Sequence, residues 1–262
     1  MPSSFAEDVA NYADVGCTAM EVWLTKLETH LEKYSPGETR RLISDRGLTL
    51  AAAAYQGGLL LSQSEARQAH FDHFRRRLDL CELLGIQTLI VAADFAQRVD
   101  RAMLAAAVAS LAQAGQWAAG AGVTLALEFR AKYAFCASLD TALSLVQACG
   151  EPNVGVNFDV FHYYTGPSKL EDLAHLTRDR LVHVQLCDLS GVARELAEDG
   201  DRVLPGDGDF LLAPIVDVLR RLGYDGFVSV ELMNPVLWRA NPAQVAEIAF
   251  TSLRKLLSAQ IA

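Results

Sequence analysis

Residues 153–162 read NVGVNFDVFH, and this stretch carries the clearest indication of the fold of the chain. The apolar run Val154–Phe158 predicts a short buried strand, and an acid, Asp159, follows it directly. Other short apolar runs also end in an acid. These further acids are Glu21, Asp94, Glu128 and Glu231. An unpaired buried acid is costly, so a cationic group is expected beside them. The active site of a parallel barrel lies at the C-terminal ends of its strands, so the repeated pattern predicts a barrel with an acidic active face.

Short apolar runs alternate with helix-period segments along the whole chain, which is typical of βα units around a parallel sheet. The predicted strands are Ala19–Trp23, Leu48–Ala54, Thr88–Ala92, Thr124–Phe129, Val154–Phe158, Leu181–Leu186 and Phe227–Leu232. The predicted helices are Ser4–Val15, Gly37–Asp45, Ser64–Leu84, Arg98–Ala121, Ser138–Cys149, Leu170–Ala174, Leu211–Leu222 and Pro242–Leu257.

A helix stands ahead of the first of these seven strands. The order therefore predicts an α/β fold, a (β/α)8 TIM barrel, as a single domain over residues 1–262. Its first strand is expected to be missing or altered. Either the barrel has a gap there, or the true start of the chain lies upstream.

Composition restricts the function. The chain has 262 residues, 51% hydrophobic and 21% charged, which excludes a disordered protein. The net charge of −9 argues against nucleic acid or an anionic membrane as partner. Neither a membrane-spanning run nor the features of a signal peptide are found, and we expect a cytoplasmic protein. Five scattered cysteines without a CxxC pair indicate buried free thiols.

A polar pair interrupts the apolar run that ends at Asp188. Alternation along Leu181–Leu186 puts His183 and Gln185 on one face of the strand. Two Glu, one Asp and a His or Gln from four strands would form an oxygen-rich site. Such a donor set suits Mg²⁺ or Mn²⁺, with Zn²⁺ or Co²⁺ as alternatives.

Other residues have a functional and a structural interpretation. His162 follows Asp159 by three residues, so it contacts substrate or packs as an ordinary core histidine. Glu21 either supports the site or forms a structural ion pair, and Asp94 has the same two interpretations. Trp23 either walls the pocket or fills the barrel mouth.

The longest irregular segment is Leu189–Asp209, and a loop of this length in a compact domain is usually functional. Because it follows a strand, it is expected to lie over the active face. Within it, Pro205 and two glycines predict a tight turn, and Arg202 just before can reach an oxyanion or a polyol hydroxyl. The alternative is a solvated acidic loop.

Four motifs carry a resemblance to a known family. They are GVTLALEF at 122–129, NVGVNFDVFH at 153–162, DRVLPG at 201–206 and GFVSVEL at 226–232. In order and spacing they resemble the xylose-isomerase-like TIM barrels, the sugar isomerase/epimerase superfamily. The 2-keto-myo-inositol (inosose) isomerase branch is the most similar, over nearly the whole chain after residue 5.

The resemblance implies a ligand set and substrate contacts. The implied metal ligands are Glu128, Asp159, Gln185 and Glu231, and the implied substrate contacts are His162 and Arg202, with His183, Glu21, Trp23 and Asp94 as further candidates. Gln185 departs from the inosose isomerase branch, which has His there. Gln at this place is similar to hydroxypyruvate isomerases and to bacterial 3-dehydroshikimate dehydratases.

The implied cofactor is one divalent ion, with Mn²⁺ or Mg²⁺ favoured, that binds the carbonyl and neighbouring hydroxyl oxygens of an α-hydroxyketone. Glu128 and Glu231 would then be catalytic, one removing a proton and the other delivering it to the adjacent carbon through an enediolate. The expected activity is isomerisation or epimerisation of a small polyhydroxy ketone, an inosose or a ketose.

Alternatives remain at this stage. A dehydratase of the 3-dehydroshikimate or inosose type would use the same site, and a barrel that binds a metabolite without turnover would keep the fold. The superfamily also includes apurinic endonucleases, which carry extra His ligands and a basic face. This chain is acidic and has only six His, which argues against that activity. A homodimer that covers the gap at the first strand is possible.

Overall fold

A computed structural model describes residues 3–61 and 64–258 of the chain. Seven parallel strands form one sheet in the order β1-β2-β3-β4-β5-β6-β9, and β7 and β8 form a small antiparallel pair. The strands are β1 Ala19–Trp23, β2 Thr49–Gln56, β3 Thr88–Ala92, β4 Thr124–Glu128, β5 Val154–Asp159, β6 Leu181–Leu186, β7 Asp188–Leu189, β8 Arg202–Val203 and β9 Val228–Val230. All seven predicted strands are therefore confirmed, as is the TIM-barrel class.

The helices form the outer layer, and most lie where the sequence predicts them. They are α1 Phe5–Asp14, α2 Leu24–Leu31, α3 Pro36–Ser44, α4 Ser64–Leu84, α5 Arg101–Gly120, α6 Leu139–Cys149, α7 Val160–Thr165, α8 Leu212–Arg221 and α9 Pro242–Ser258. Short 3₁₀ turns lie at Leu170–His175, Asp199–Asp201 and Leu237–Arg239. The predicted helix Leu170–Ala174 is one of these turns. Helices α2 and α7 were not predicted from the sequence.

Local sequence sets the helix ends. Ser4, Ser35 and Ser138 each begin a helix with a capping box, in which the serine side chain accepts a backbone N–H three residues on. Helix α6 ends at Gly150, whose φ of 76° is in the left-handed region that glycine adopts without strain. Helix α2 has no side-chain cap at Trp23, which explains why its start carries no signal in the sequence.

Small side chains fill the interior of the barrel. Ala52, Ala54, Ile90 and Ala126 form one buried inner cluster, and Trp23 packs against it. Trp23 therefore extends the inner layer of the barrel, and its contact with substrate stays a prediction. Because the inner layer is narrow, the polar groups at the strand ends are brought close together above it.

The barrel does not close completely. Among the described residues, strand β1 pairs with β2 alone and β9 pairs with β6 alone. A cavity of about 360 Å³, here called the slot, lies between these two strand edges and helices α1 and α9. We call β9, β1, α1 and α9 the open arc and β2–β6 the closed arc. The predicted absence of the first barrel strand is thus confirmed for the part of the chain that the structure describes.

Helices within residues 3–61 and 64–258 are all too short or too polar to cross a membrane.

Candidate active site

Carboxylates and a histidine converge at the C-terminal ends of the strands. Glu128 ends β4, Asp159 ends β5, and His162 lies in the first turn of α7, and all three are buried. One ligand atom from each of these residues lies within 4.8 Å of the other two. Asp159 also caps α7 by accepting the N–H of Phe161 at 2.8 Å, so the strand end and the helix start fix this carboxylate together.

Arg202 is the cation that the acids require. Its Nη2 lies 2.7 Å from Asp159 Oδ2 and 2.9 Å from Asp199 Oδ1, and its Nη1 lies 2.9 Å from Glu231 Oε2. The side chain is 1% exposed. It comes from β8, which pairs with β7 inside the long loop over the barrel. The loop is therefore part of the site, as its position after a strand predicted.

The charges of the site are unequal. Burial raises the pKa of Glu128 to about 7 and the pKa of Glu231 well above its ordinary value, and the negative charge of Asp159 adds to both effects. Burial also acts on Asp159, but Arg202 and His162 hold its pKa below the ordinary value. Arg202 thus pairs with two of these acids, Asp159 and Glu231, while Glu128 lies beside another arginine, Arg130, and the three acids can accept further positive charge.

His162 is held neutral. Burial lowers its pKa to about 4, although the neighbouring Asp159 opposes this effect. Its Nε2 lies 3.7 Å from Asp159 Oδ2, and its Nδ1 is buried without a hydrogen-bond partner. A neutral imidazole with an unpaired ring nitrogen beside three carboxylates is a donor set that suits a divalent metal ion. The residues present therefore fit the ion that the resemblance implies.

A hydrogen-bonded network lies directly beneath the acids. Gln185 donates from Nε2 to Glu21 Oε1 at 2.8 Å, and the other carboxylate oxygen of Glu21 contacts His183 Nε2 at 2.9 Å. Since a carboxylate can only accept, the Gln185 oxygen must point away from Glu21. It accepts a short hydrogen bond from Asn157 Nδ2, which also donates to Glu128 Oε1 at 3.0 Å. Glu21 thus holds the amide of the predicted ligand Gln185, and His183 holds Glu21 in turn.

Two members of this network were missed in the sequence. Asn157 and Ser229, whose Oγ contacts His183 Nε2 at 2.9 Å, lie on the inner face of their strands. Asn157 precedes Asp159 by two residues and Ser229 precedes Glu231 by two. The same alternation that singled out the acids would have found both, because residues two apart share a face of a strand.

The mouth of the site carries a second arginine. Arg130, two residues after Glu128, places its Nε 2.9 Å from Glu128 Oε2 and its guanidinium carbon 4.9 Å from the centre of the Tyr55 ring. Asp94 lies in the same region, where its carboxylate accepts a short hydrogen bond from the N–H of Gly58. Asp94 is thus separate from the acid cluster. Arg130 was not predicted from the sequence.

A buried acid fixes the long loop. Asp188 is 1% exposed, and its side chain accepts the backbone N–H groups of Leu189, Gly206 and Phe210 at 2.8–3.0 Å. Gly208 lies against the backbone of Leu189. An added Cβ would be 2.4 Å from the Leu189 carbonyl oxygen, so only glycine fits at this position. The turn predicted at Pro205 and the two glycines is thus tied to the end of the barrel.

An α/β barrel with acids, a neutral histidine and a buried arginine at its strand ends is a TIM barrel with the site arrangement of an enzyme. Comparison with known proteins makes the class more specific. The chain belongs to the xylose isomerase-like TIM barrel family, whose description matches residues 9–256. This confirms the resemblance drawn from the four motifs.

The relatives of the chain include enzymes of two kinds. The inosose isomerase of Bacillus velezensis is 25% identical over 189 residues, covering 71% of this chain and 67% of that protein. The 3-dehydroshikimate dehydratase of Pseudomonas aeruginosa is 27% identical over 263 residues, covering 98% of this chain and 40% of that protein. The match thus extends over about two thirds of the isomerase and two fifths of the dehydratase.

Among solved structures, the IOLI protein with a binding zinc atom superimposes with a TM-score of 0.93. Its sequence is 20% identical, and the match covers 98% of this chain and 94% of that one. At this identity the likeness establishes the fold.

Proposed function

We propose that this chain is a divalent-metal-dependent isomerase or epimerase of a small polyhydroxy ketone, an inosose or a ketose. One observation carries the proposal. Glu128, Asp159 and a neutral His162 lie within reach of one ion in a buried site, and Arg202 joins Asp159 to Glu231. The inosose isomerases among the relatives support the substrate class. We also propose that the chain forms a single domain.

The ion would be held by the four residues that the resemblance implies: Glu128, Asp159, Gln185 and Glu231. His162 Nδ1, which is buried and unpaired, is a further donor beside them. A divalent ion there supplies a Lewis acid that polarises the carbonyl and hydroxyl oxygens of an α-hydroxyketone and acidifies the C–H between them. We favour Mn²⁺ or Mg²⁺, while the zinc atom in the IOLI structure supports Zn²⁺ as an alternative.

The protein residues move the proton. Glu128 ends β4 and Glu231 follows β9, so the two carboxylates approach a bound substrate from different strands of the barrel. One removes the proton from the carbon next to the carbonyl. In an isomerisation the other returns a proton to the former carbonyl carbon, while the hydroxyl proton passes to the former carbonyl oxygen. In an epimerisation it returns a proton to the opposite face of the same carbon. Arg202 keeps Asp159 and Glu231 in place, and its charge stabilises negative charge that develops on the substrate oxygens.

A dehydratase is the second candidate, and Gln185 favours it. The sequence has Gln where the inosose isomerase branch has His, and a 3-dehydroshikimate dehydratase is 27% identical over 98% of this chain. The same proton removal would then be followed by departure of a β-hydroxyl as water. A new conjugated ultraviolet absorbance in the product distinguishes dehydration from isomerisation.

Metal content is the decisive measurement. We expect purified protein, supplied with Mn²⁺ and washed free of excess, to keep one ion per chain by elemental analysis. Glu231→Gln should lose or weaken that ion. If the wild type retains the ion, inososes, ketoses and 3-dehydroshikimate are screened by proton exchange in D₂O. Absence of any ion from the wild type contradicts the proposal and favours a barrel that only binds a metabolite.

A further inference from the structure

Arg130 is a cation at the mouth of the site with unused hydrogen-bonding capacity. Its Nε lies 2.9 Å from Glu128 Oε2, yet this nitrogen makes no hydrogen bond, because its N–H is not directed at the oxygen. No hydrogen bond from the guanidinium to another described residue is found. A guanidinium has five N–H donors, so Arg130 makes a charge contact and keeps its donors.

The other cations of this region are already satisfied. Arg202 is paired with Asp159, Asp199 and Glu231 and is 1% exposed. Lys132, two residues after Arg130, lies 2.6 Å from Glu198 on the loop above the barrel. Arg202 and Lys132 are each held by an acid through a hydrogen bond, whereas the guanidinium of Arg130 makes no hydrogen bond to a described residue, and this sets it apart as a binding group.

The surroundings of Arg130 keep it in position and reachable. Its guanidinium lies against the ring of Tyr55, which is the last residue but one of β2 and is 48% exposed. The Arg130 side chain itself is 20% exposed, so solvent or a ligand reaches it from the mouth. A guanidinium that stacks on an aromatic ring loses little freedom when it binds an anion with its edge.

The charges nearby select the kind of anion. Glu128 Oε2 lies 2.9 Å from Arg130 Nε, and Arg202 holds two further acids, Asp199 and Glu231, in the same site. A phosphate dianion would be repelled by these acids and would need more donors than one guanidinium offers. A carboxylate carries one negative charge and is planar, so it pairs with a single guanidinium through two parallel hydrogen bonds.

We infer that the substrate of this site carries a carboxylate, bound by Arg130 at the mouth while its hydroxyketone end faces Glu128 and Glu231. The inference rests on the proposed function, since it adds a group to the polyhydroxy ketone. A cyclic or open-chain hydroxyketone acid fulfils it, whereas a neutral inosose does not. No bond is made or broken at Arg130, which acts by orienting the substrate.

Binding of an unreactive pair of probes tests the inference separately from turnover. Shikimate is a ring polyol with a carboxylate, and methyl shikimate is the same ring without the charge. Calorimetric titration of the Mn²⁺-supplied protein should show shikimate binding at least tenfold more tightly than the ester. Arg130→Met should remove that preference, and Arg130→Lys, which keeps the charge without the fork, should retain only part of it.

Lys132→Met is the matched control, because this neighbouring cation is already paired with Glu198. It should leave the preference unchanged. Metal content and circular dichroism of each variant show whether the site and the fold persist. The inference is overturned if the wild type binds both probes equally or neither, or if a folded Arg130→Met protein keeps the preference.

Different measurements, metal content and turnover, test the proposed function. Absence of bound metal together with no turnover of any hydroxyketone contradicts the isomerase, even where the preference for shikimate persists. Turnover of neutral ketoses alone, unaffected by Arg130→Met, supports the isomerase and overturns the carboxylate.

Discussion

The closed arc and the open arc of the barrel differ in how their strands are supported. Each strand from β2 to β6 has a hydrogen-bonded neighbour on both sides, and β5 is buried along its whole length. Strands β9 and β1 each have one neighbour, and β9 is only half-buried beside the slot. The predicted ligands Glu128, Asp159 and Gln185 belong to the closed arc, and Glu231 alone follows β9.

One ion-pair cluster joins the arcs at the site. Arg202 contacts Asp159 of the closed arc and Glu231 of the open arc through the same guanidinium. Glu231 N also donates to the Leu186 carbonyl at 3.1 Å. Glu231 is therefore positioned by one buried arginine and the edge of β6, since no strand among the described residues pairs with the other side of β9.

Arg202→Met should have the largest effect on stability. It leaves Asp159 and its neighbouring acids buried without their cation, and breaking such a pair costs about 3–5 kcal/mol. Urea unfolding in the presence of EDTA measures the free energy of unfolding. Arg46→Met, which removes an exposed pair with Asp14, should cost less than about 1 kcal/mol. Equal losses in the two variants would show that Arg202 does not join the arcs.

Leucine truncation compares the packing of the two arcs. Leu125 in β4 is fully buried, so Leu125→Ala should lower the free energy of unfolding by about 3 kcal/mol. Leu232 lines the slot and is only half-buried, so Leu232→Ala should cost about 1 kcal/mol. Denaturant unfolding of both variants checks the difference. A cost at Leu232 as large as at Leu125 would mean that the slot is packed as tightly as the core.

Enlarging an alanine should have opposite signs in the two arcs. Ala249 on α9 lines the slot, and Ala249→Leu should raise the free energy of unfolding by up to about 1 kcal/mol, because the added methyl groups fill empty space. Ala126 lies in the closed inner cluster, and Ala126→Leu should cost about 1–3 kcal/mol by overpacking. Thermal unfolding of the pair measures both. Destabilisation by Ala249→Leu would contradict an empty slot.

Thiol labelling reports on access without changing stability. Cys17 lines the slot and is half-buried, whereas Cys81 and Cys136 are buried in the core. Burial raises the pKa of Cys81 and Cys136 to about 12, so almost no reactive thiolate is present at pH 8. Reaction with iodoacetamide, located by peptide mass analysis, should therefore modify Cys17 first. Faster labelling of Cys81 or Cys136 would show that the closed arc opens more easily than the slot.

Much of the fold could be predicted because its signals are local. Apolar runs and strand-end acids predicted the seven strands. The helix ahead of the first of them predicted that β1 lacks a neighbour on one side. Helix α2 was missed because Trp23 provides no capping side chain, and α7 because it has only six residues and follows a strand directly.

The sequence predicted the acids of the candidate site but not the contacts between its strands. Glu128, Asp159 and Glu231 follow apolar runs, so their position is set by the strand itself. The free donors of Arg130 and the direction of the Gln185 amide depend on partners from other strands, such as Tyr55 and Glu21. No spacing in one segment encodes those partners, which is why the sequence left these features unassigned.

The anchoring of the long loop by Asp188 has a consequence for the timing of events at the site. Three backbone N–H groups bind one buried carboxylate, so the segment from Gly206 to Phe210 cannot move away without leaving that carboxylate without its partners. The amides of Gly206 and Phe210 should therefore exchange their hydrogen with solvent as slowly as those of the barrel strands. We therefore expect small molecules to reach the site past Tyr55 and Arg130, without waiting for this segment to move.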